Sequence, residues 1–561
     1  MRLVAQAPLE IPDIAWSAIA PELVLFGVGI LVLLLDTAGP NRLRSSALAF
    51  IVLAGGAGLI AWETGAFAGA PDAQVALPAL VALGGLAQLG LTWVWQDRPR
   101  MLGALLTGLG FAATIGVVAW QWSVYAGGAL LDGRPVLATD SLIADMVAID
   151  GVALFTRLTV CAAGLITVLI GYSYAEERRI HRGEYYPLLL FAATGMTLLA
   201  ASADLIMVFI SIEILSLALY VLCGFAKRDL NSQESALKYF LLGAFSSALL
   251  LYGIALTYGV AGTTNIAEAG RAMALVAAPR ALSLAAIGLL AVGFAFKTAL
   301  VPFHMWTPDV YQGAPTPVTG FMAAATKAAA FAAFLRVFAG GLGALQWSWV
   351  PVLWILAAVT MLVGAVLAVV QTDLKRMLGY SAIAHAGYLL IGVIAVSRAG
   401  ISSTLFYLLV YALMSVGAFG VLALLERRSR KAMTIADLRG LGKRYPVPAG
   451  MLSLFLLSLA GVPGTGGFMA KFGIFRAGVQ AGQTELVVVA VVSSVIAAFF
   501  YIRVIVAMFM EDEPAEAAGL PLPTDAGANV GLAAAAAGVV VLGVLPGGLV
   551  ELARQAATLA L

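Results

Sequence analysis

AVGFAFKTALVPFHMWTPDVYQGAPTP, residues 291–317, is the stretch on which the fold turns. It starts as an apolar helical run, carries Lys297, and is then interrupted by Pro302 and Pro308. Proline removes a backbone donor and clashes with the preceding turn. Irregular backbone at membrane depth is tolerated only where protein buries it or where it lines a cavity. A second stretch, SLFLLSLAGVPGTGGFMAKFGIF at 453–475, breaks the same way. Pro463 lies among Gly461, Gly464, Gly466 and Gly467, and Lys471 follows. One such proline reads as a packing kink. Two, each beside a lysine, read as the paired discontinuous helices of an inverted-repeat transporter.

Working outward, the rest of the chain is nearly all hydrocarbon. Of its 561 residues 62% are hydrophobic and only 11% charged, and the mean hydropathy is +0.99. That composition predicts an all-α polytopic membrane protein with no separate soluble domain. About sixteen spans are expected, at roughly 19–36, 45–62, 76–95, 102–122, 145–171, 186–203, 205–226, 233–260, 282–300, 317–339, 350–370, 377–397, 402–425, 451–476, 485–510 and 529–551. The division between 186–203 and 205–226 rests on Ser202-Ala203-Asp204 alone. The N-terminal residues carry Glu10 and Asp13 and lack the basic and apolar regions of a signal peptide, so the first helix is expected to start insertion. A net charge of +2 gives no reason to invoke nucleic acid. Cys161 and Cys223 read as small buried hydrophobes, and three histidines with no Cys/His cluster predict no metal, haem or iron–sulfur site. No glycine-rich phosphate loop follows a strand.

Basic residues alternate between loops. Arg42, Arg44, Arg98, Arg100, Arg178, Arg179, Arg182, Lys227, Arg228, Lys375, Arg376 and the cluster from Arg427 to Arg444 fall on one side. The other side holds little beyond Arg134, Arg271, Arg280 and Arg398. The positive-inside rule makes the first set cytoplasmic, which puts both termini outside and calls for an even number of spans.

Five ionisable residues sit inside the apolar runs: Glu213, Lys297, Lys327, His385 and Lys471. Charge at bilayer depth is expensive and marks ion or proton paths. Ser216 and Tyr220 follow Glu213 at i+3 and i+7, on its face, where they can hydrogen-bond it. A carboxylate in apolar surroundings keeps its proton unless a cation is near, so its proton affinity reports where a neighbouring lysine charge lies. Lys327 is central in VTGFMAAATKAAAFAAFLRVF and too far from either end to snorkel easily. Desolvation weakens a lysine's hold on its proton. His385 shares a face with Ser381 and Tyr388, and an imidazole titrates near neutrality, although a satisfied core histidine is an equal alternative. Lys238 opens its span and reads either as a snorkelling residue or as part of the path. Glu184, after a basic loop, reads from pattern as a surface ion pair. His304 and Asp309 flank the first break and are candidates to cap freed backbone groups, while Arg336 and Arg503 are expected to snorkel at helix ends.

These motifs carry a resemblance. SADLIMVFISIEILSLALYVLCGF, ESALKYFLLGAFSSALLLYGIALTYG, FKTALVPFHMWTPDVYQGAPTPVTGFMAAATKAA, DLKRMLGYSAIAHAGY and GVPGTGGFMAKFGIF span roughly 145–510. They resemble the antiporter-like family, which includes membrane subunits L, M and N of the proton-pumping NADH–quinone oxidoreductase (respiratory complex I) and the Mrp cation/proton antiporters. The N branch is the nearest match: Lys471 stands where the M branch has a glutamate. The resemblance implies an inverted repeat of two five-helix units with two broken helices. Residues 145–345 would form the first half-channel and 346–510 the second, with N-terminal helices over 1–144 and a C-terminal loop and last helix over 511–561. In the family, the residues matching Glu213 and Lys297 form a glutamate–lysine pair. The one matching Lys327 leads to the centre, and those matching His385 and Lys471 carry the second half. A carboxylate is also found at the position of Glu184, which lifts that residue above its bland reading.

The implied function is proton translocation by a membrane subunit of a bacterial inner-membrane NADH–quinone oxidoreductase, with an Mrp-type antiporter subunit as the alternative and a non-conducting scaffold a third. This chain would hold no cofactor. FMN, iron–sulfur clusters and quinone would belong to partner subunits, the partners being M-like and K-like membrane neighbours and the peripheral redox arm. Two departures from the family stand out: an extra hairpin at about 76–122, containing QLGLTWVWQDRPRMLGALL, and the lack of the long lateral helix of the L branch.

Overall fold

The structure, a computed structural model, describes residues 16–37, 99–126, 130–131, 134–135, 145–275, 280–427, 433–512 and 525–559. The expected spans at 45–62 and 76–95, the latter half of the proposed extra hairpin, lie outside these residues. Among the described residues twelve helices are long and apolar enough to cross a membrane, and two shorter apolar helices, Tyr185–Ala201 and Pro446–Ala460, accompany them.

In chain order the helices are α1 (Ala20–Thr37), α2 (Pro99–Ala126), α3 (Gly151–Glu177), α4 (Tyr185–Ala201), α5 (Leu205–Cys223), α6 (Leu230–Ala261), α7 (Ile266–Leu275), α8 (Arg280–Thr298), α9 (Trp306–Gly313), α10 (Thr316–Gly341), α11 (Gln346–Val369), α12 (Leu374–Ile394), α13 (Arg398–Glu426), α14 (Pro446–Ala460), α15 (Gly466–Gln480), α16 (Thr484–Met510), α17 (Ala526–Val544) and α18 (Gly547–Gln555). Two-residue strands at 130–131 and 134–135 pair antiparallel.

Several boundaries differ from the expected ones. The span anticipated at 145–171 is Gly151–Glu177, because Asp150 caps it, accepting from the Ala153 amide at 2.9 Å. The residues before it, 145–150, are not helical, and Val147 pairs with Ser202. Asp204 caps α5 through the Ile206 amide at 2.7 Å, so the three residues 202–204 do separate two helices. The span anticipated at 529–551 stops at Val544 and resumes beyond Pro546 as the short helix α18.

The axis of the bundle is α10. Its apolar window is completely buried, followed by α12 at 94% and α13 at 89%, whereas α6, α11 and α16 are only 39% buried and form the perimeter. Perimeter residues such as Phe245, Ile355 and Phe499 are exposed. On a membrane helix such faces meet lipid. Residue types explain the position of α10. Its central run of alanines lets neighbouring backbones approach closely, as small residues do throughout membrane helix packing. It also contains π-helical turns at Met322–Thr326 and Leu335–Gly341, a local widening often found at functional sites.

Candidate functional site

Both interrupted helices end in the same motif. In α8 the Leu300 amide donates to Ala295 O at 2.8 Å and the Ala299 amide to Phe296 O at 3.1 Å. At the end of α14 the Val462 amide donates to Leu457 O and the Gly461 amide to Ser458 O, both at 3.0 Å. Each is a Schellman cap, which requires a left-handed residue at its pivot. Gly461 supplies it at φ 88, and Ala299 adopts it at φ 61 despite its Cβ. Side chains add to the hydrogen bonding at the first break. Val301 N donates to Thr360 Oγ1 at 2.9 Å, and Trp306 Nε1 donates to Phe296 O at 3.1 Å. Asp309, expected as a cap, instead binds Lys238 at 2.6 Å and Arg376.

At each break a lysine meets the negative end of a half-helix dipole, where positive charge is stabilised. Lys297 lies in the last turn of α8. Lys471 lies on α15 and reaches back across the second break. Its Nζ donates to Ala460 O at 2.9 Å and to Ser494 Oγ at 2.8 Å. A close approach makes this possible, since a Cβ on Gly467 would lie 1.8 Å from Ser458 O. Gly467→Ala is therefore expected to push α15 away from α14 and lower the yield of folded protein several-fold, as read by the amount recovered from membranes in mild detergent.

Lys297 is buried, and its Nζ donates to Ser216 Oγ at 2.6 Å. It lies 6.0 Å from the Tyr220 ring centre and 5.7 Å from that of Tyr239, within cation–π range. Glu213 is half-buried on α5, one turn before Ser216, and its Oε1 has no hydrogen-bond partner. Ser216 bonds back to Ile212 O and forward to Lys297, so it serves the lysine rather than the carboxylate it was expected to serve.

From Lys297 a cavity of about 10 Å³ leads to Lys327, lined also by Thr298, Trp306, Tyr311 and Thr326. This is about the room one water needs. Thr326 Oγ1 is buried there without a protein partner, as a water-binding hydroxyl would be. Lys327 follows the first π-turn of α10 directly. Its Nζ donates to Ala382 O and lies 5.1 Å from the Tyr411 ring centre.

Beyond Lys327 a series of aromatic and polar side chains continues toward Lys471. The rings of Tyr411 and His385 are 5.1 Å apart. His385 Nδ1 bonds Tyr407 OH at 2.8 Å and Nε2 bonds Tyr501 OH at 3.3 Å. Tyr388 stands 5.5 Å from His385, ring to ring, and Lys471 Nζ lies 5.1 Å from the Tyr388 ring. Tyr388 OH bonds Ser493 Oγ at 3.0 Å.

Two expected site residues lie elsewhere. Lys238 is partly exposed and bridges Glu234 and Asp309, each at 2.6 Å. Glu184 is exposed at the start of α4 and makes no capping bond, and no ion pair involves it among the described residues. Sequence reasoning also misjudged one arginine. Arg336 does not snorkel. It is fully buried and bidentate to Asp150 at 2.7 and 2.9 Å. Arg503, half-buried, donates to Val369 O and Gln371 O at the end of α11, at 2.7 and 2.6 Å. Lys375 and Glu426, read as loop-side charge or not singled out, are both buried. A hint was available, because Lys375 and Arg376 open a span that carries Ser381 and His385 further along it.

Buried lysines beside two half-helix ends, joined through a central lysine and a histidine, define a membrane-embedded antiporter-like protein. The family profile of the membrane part of NADH:quinone oxidoreductase/Mrp antiporters matches residues 202–497. The chain is 43% identical to NADH-quinone oxidoreductase subunit N of Rhodococcus opacus over 99% of its own length and 98% of the relative's. It is also 43% identical to subunit N 1 of Herpetosiphon aurantiacus, over 85% of this chain and 95% of the relative. A chain in the structure of respiratory complex I from Thermus thermophilus with bound aureothin superposes with a TM-score of 0.67 at 34% identity, covering 85% of this chain and 99% of that one. The chain belongs to this antiporter-like family, in its NADH-quinone oxidoreductase subunit N branch. It is longer than the Thermus chain, and the near-complete match to the Rhodococcus relative shows that the added length is shared with that relative.

Proposed function

We propose that the chain is a proton-translocating membrane subunit of a complex I-type NADH–quinone oxidoreductase in a bacterial inner membrane, itself without redox groups. The observation that carries this is the run of buried groups from Lys297 through Lys327 and His385 to Lys471, bridged by a water-sized cavity and by tyrosines. Residues 145–345 and 346–510 act as two half-channels, and the matching Schellman breaks support their relation as inverted repeats. A neighbouring subunit brings Glu213 and Lys297 together or apart, which changes the charge felt at Lys327, and a proton passes by His385 to Lys471. The basic loops lie on the cytoplasmic side and both termini outside. M-like and K-like membrane neighbours and a peripheral arm carrying FMN and iron–sulfur clusters complete the enzyme.

The test is purification of the tagged chain from its native membrane in mild detergent, with mass spectrometry of what accompanies it. Flavin and iron–sulfur subunits with NADH–quinone activity are expected. Recovery with only small hydrophobic partners, together with sodium-dependent proton exchange, would favour the Mrp-type alternative.

A further inference from the structure

Four buried ion pairs lie among the described residues outside the path just traced, three made by arginine (the third of these, Arg427–Asp525, at 2.8 Å) and one by lysine. Arg336–Asp150 is bidentate at 2.7 and 2.9 Å, and Arg157–Glu22 is bidentate at 2.9 and 3.0 Å. Arginine does not release its proton in a protein, so both are clamps. The lysine pair joins Lys375, on the first turn of α12, to Glu426, the last residue of α13, both nearly inaccessible. Its separation is 3.9 Å, too long for a hydrogen bond and open to one bridging water or a small shift. Lys375 Nζ donates to Ala314 O at 2.7 Å, in the turn between α9 and α10. Glu426 Oε2 accepts from Thr316 Oγ1 at 2.5 Å and from Tyr174 OH at 3.2 Å. The cation is one that exchanges its proton, and the carboxylate is served by two hydroxyls, which both give and accept protons.

The placement suits an inlet. The next residue, Arg427, reaches the exposed Glu177, and Arg178 lies 5.8 Å from the Tyr174 ring. The pair is thus about one turn below the face that carries the basic loops. Inward, Lys375 is seven residues from Ala382, whose carbonyl receives Lys327. Seven residues are two turns, about 10 Å along the same face of α12. Among the described residues, other titratable groups facing the pair are Tyr174 and Arg178 from the α3 end and Cys223 from the end of α5.

On the reading that protons move through Lys327, we infer that Lys375 and Glu426 form the proton-loading site that feeds it from the basic-loop face. Glu426 takes one proton on its carboxylate, and the pair goes from net zero to plus one. Lys375 then gives one proton inward, from ammonium to amine, toward the Lys327 side. Transfer of the carboxyl proton to that amine restores the starting pair, so one proton has entered and one has left.

The test uses the assembled complex in native membranes, measuring complex content, NADH oxidation by an artificial acceptor, and NADH-driven proton pumping. Glu426→Gln keeps an oxygen for Thr316 and Tyr174 but takes up no proton. Lys375→Arg keeps the charge but releases none. Both are expected to retain complex content and artificial-acceptor activity and to lose pumping about tenfold or more, with Glu426→Asp recovering part of it. Normal pumping in either assembled variant overturns the inference. Loss of the assembled complex in both assigns the pair to structure alone and overturns it equally. Lys327→Ala in the same membranes separates the two levels: if it pumps normally the pathway itself is wrong, whereas a dead Lys327→Ala beside a normal Glu426→Gln removes only the loading site.

Discussion

Lys327→Ala is expected to reduce NADH-driven pumping at least about tenfold while the complex still assembles. Structure and function are separable at this residue. Lys327 is buried, but no carboxylate pairs with it among the described residues, so its removal leaves no orphaned charge. The lost contacts are one hydrogen bond to Ala382 O and the approach to Tyr411. Its surroundings on α10 are alanines on a fully buried helix, and alanine at 327 continues that pattern. What disappears is the protonatable group between the cavity on the Lys297 side and the His385 cluster. Lys327→Arg is the sharper control, because guanidinium keeps the charge at the centre but does not give up its proton. Pumping should therefore fall in Lys327→Arg as well, while complex content stays near wild type. If Lys327→Arg pumped normally, a fixed charge would suffice and proton exchange at this residue would be excluded.

Arg336→Ala is expected to have the opposite signature, loss of the protein rather than of its activity. Asp150 receives both guanidinium nitrogens and also caps α3. Arg336 additionally holds Ala200 O at 3.0 Å, so one side chain ties α3, α4 and α10 together. Removing one partner of a buried pair strands the other and costs about 3–5 kcal/mol. Complex content in membranes and the thermal midpoint in detergent should both drop sharply. Neutralising both members in Asp150→Asn with Arg336→Met removes the stranded charge while leaving an Asn cap for α3, and should recover most of the loss. A single variant as stable as wild type would show that the clamp is dispensable.

These residues show which parts of the protein were readable in advance. Lys327, His385 and Lys471 were legible because a polar group in an apolar run stands out wherever the helix lies. The two breaks were legible because proline and glycine act on local backbone. Arg336 and Asp150 looked ordinary, because an arginine near a helix end usually reaches outward and its actual partner is 186 residues away in sequence. Lys375 and Glu426 were hidden for the same reason. Each sits at a helix terminus, where charge normally means solvent, and only the packing of α3, α10, α12 and α13 closes water out.

By itself the sequence determined that this is a polytopic helical membrane protein with two interrupted helices and a lysine at each, since hydrophobicity, proline chemistry and the cost of buried charge are properties of short segments. Only the tertiary structure decided which charges meet: that Ser216 serves Lys297, that one water-sized space joins Lys297 to Lys327, and that one buried lysine–glutamate pair is loose where two arginine pairs are tight. Those distances depend on how helices far apart in the chain pack, and no local pattern of residues encodes that packing.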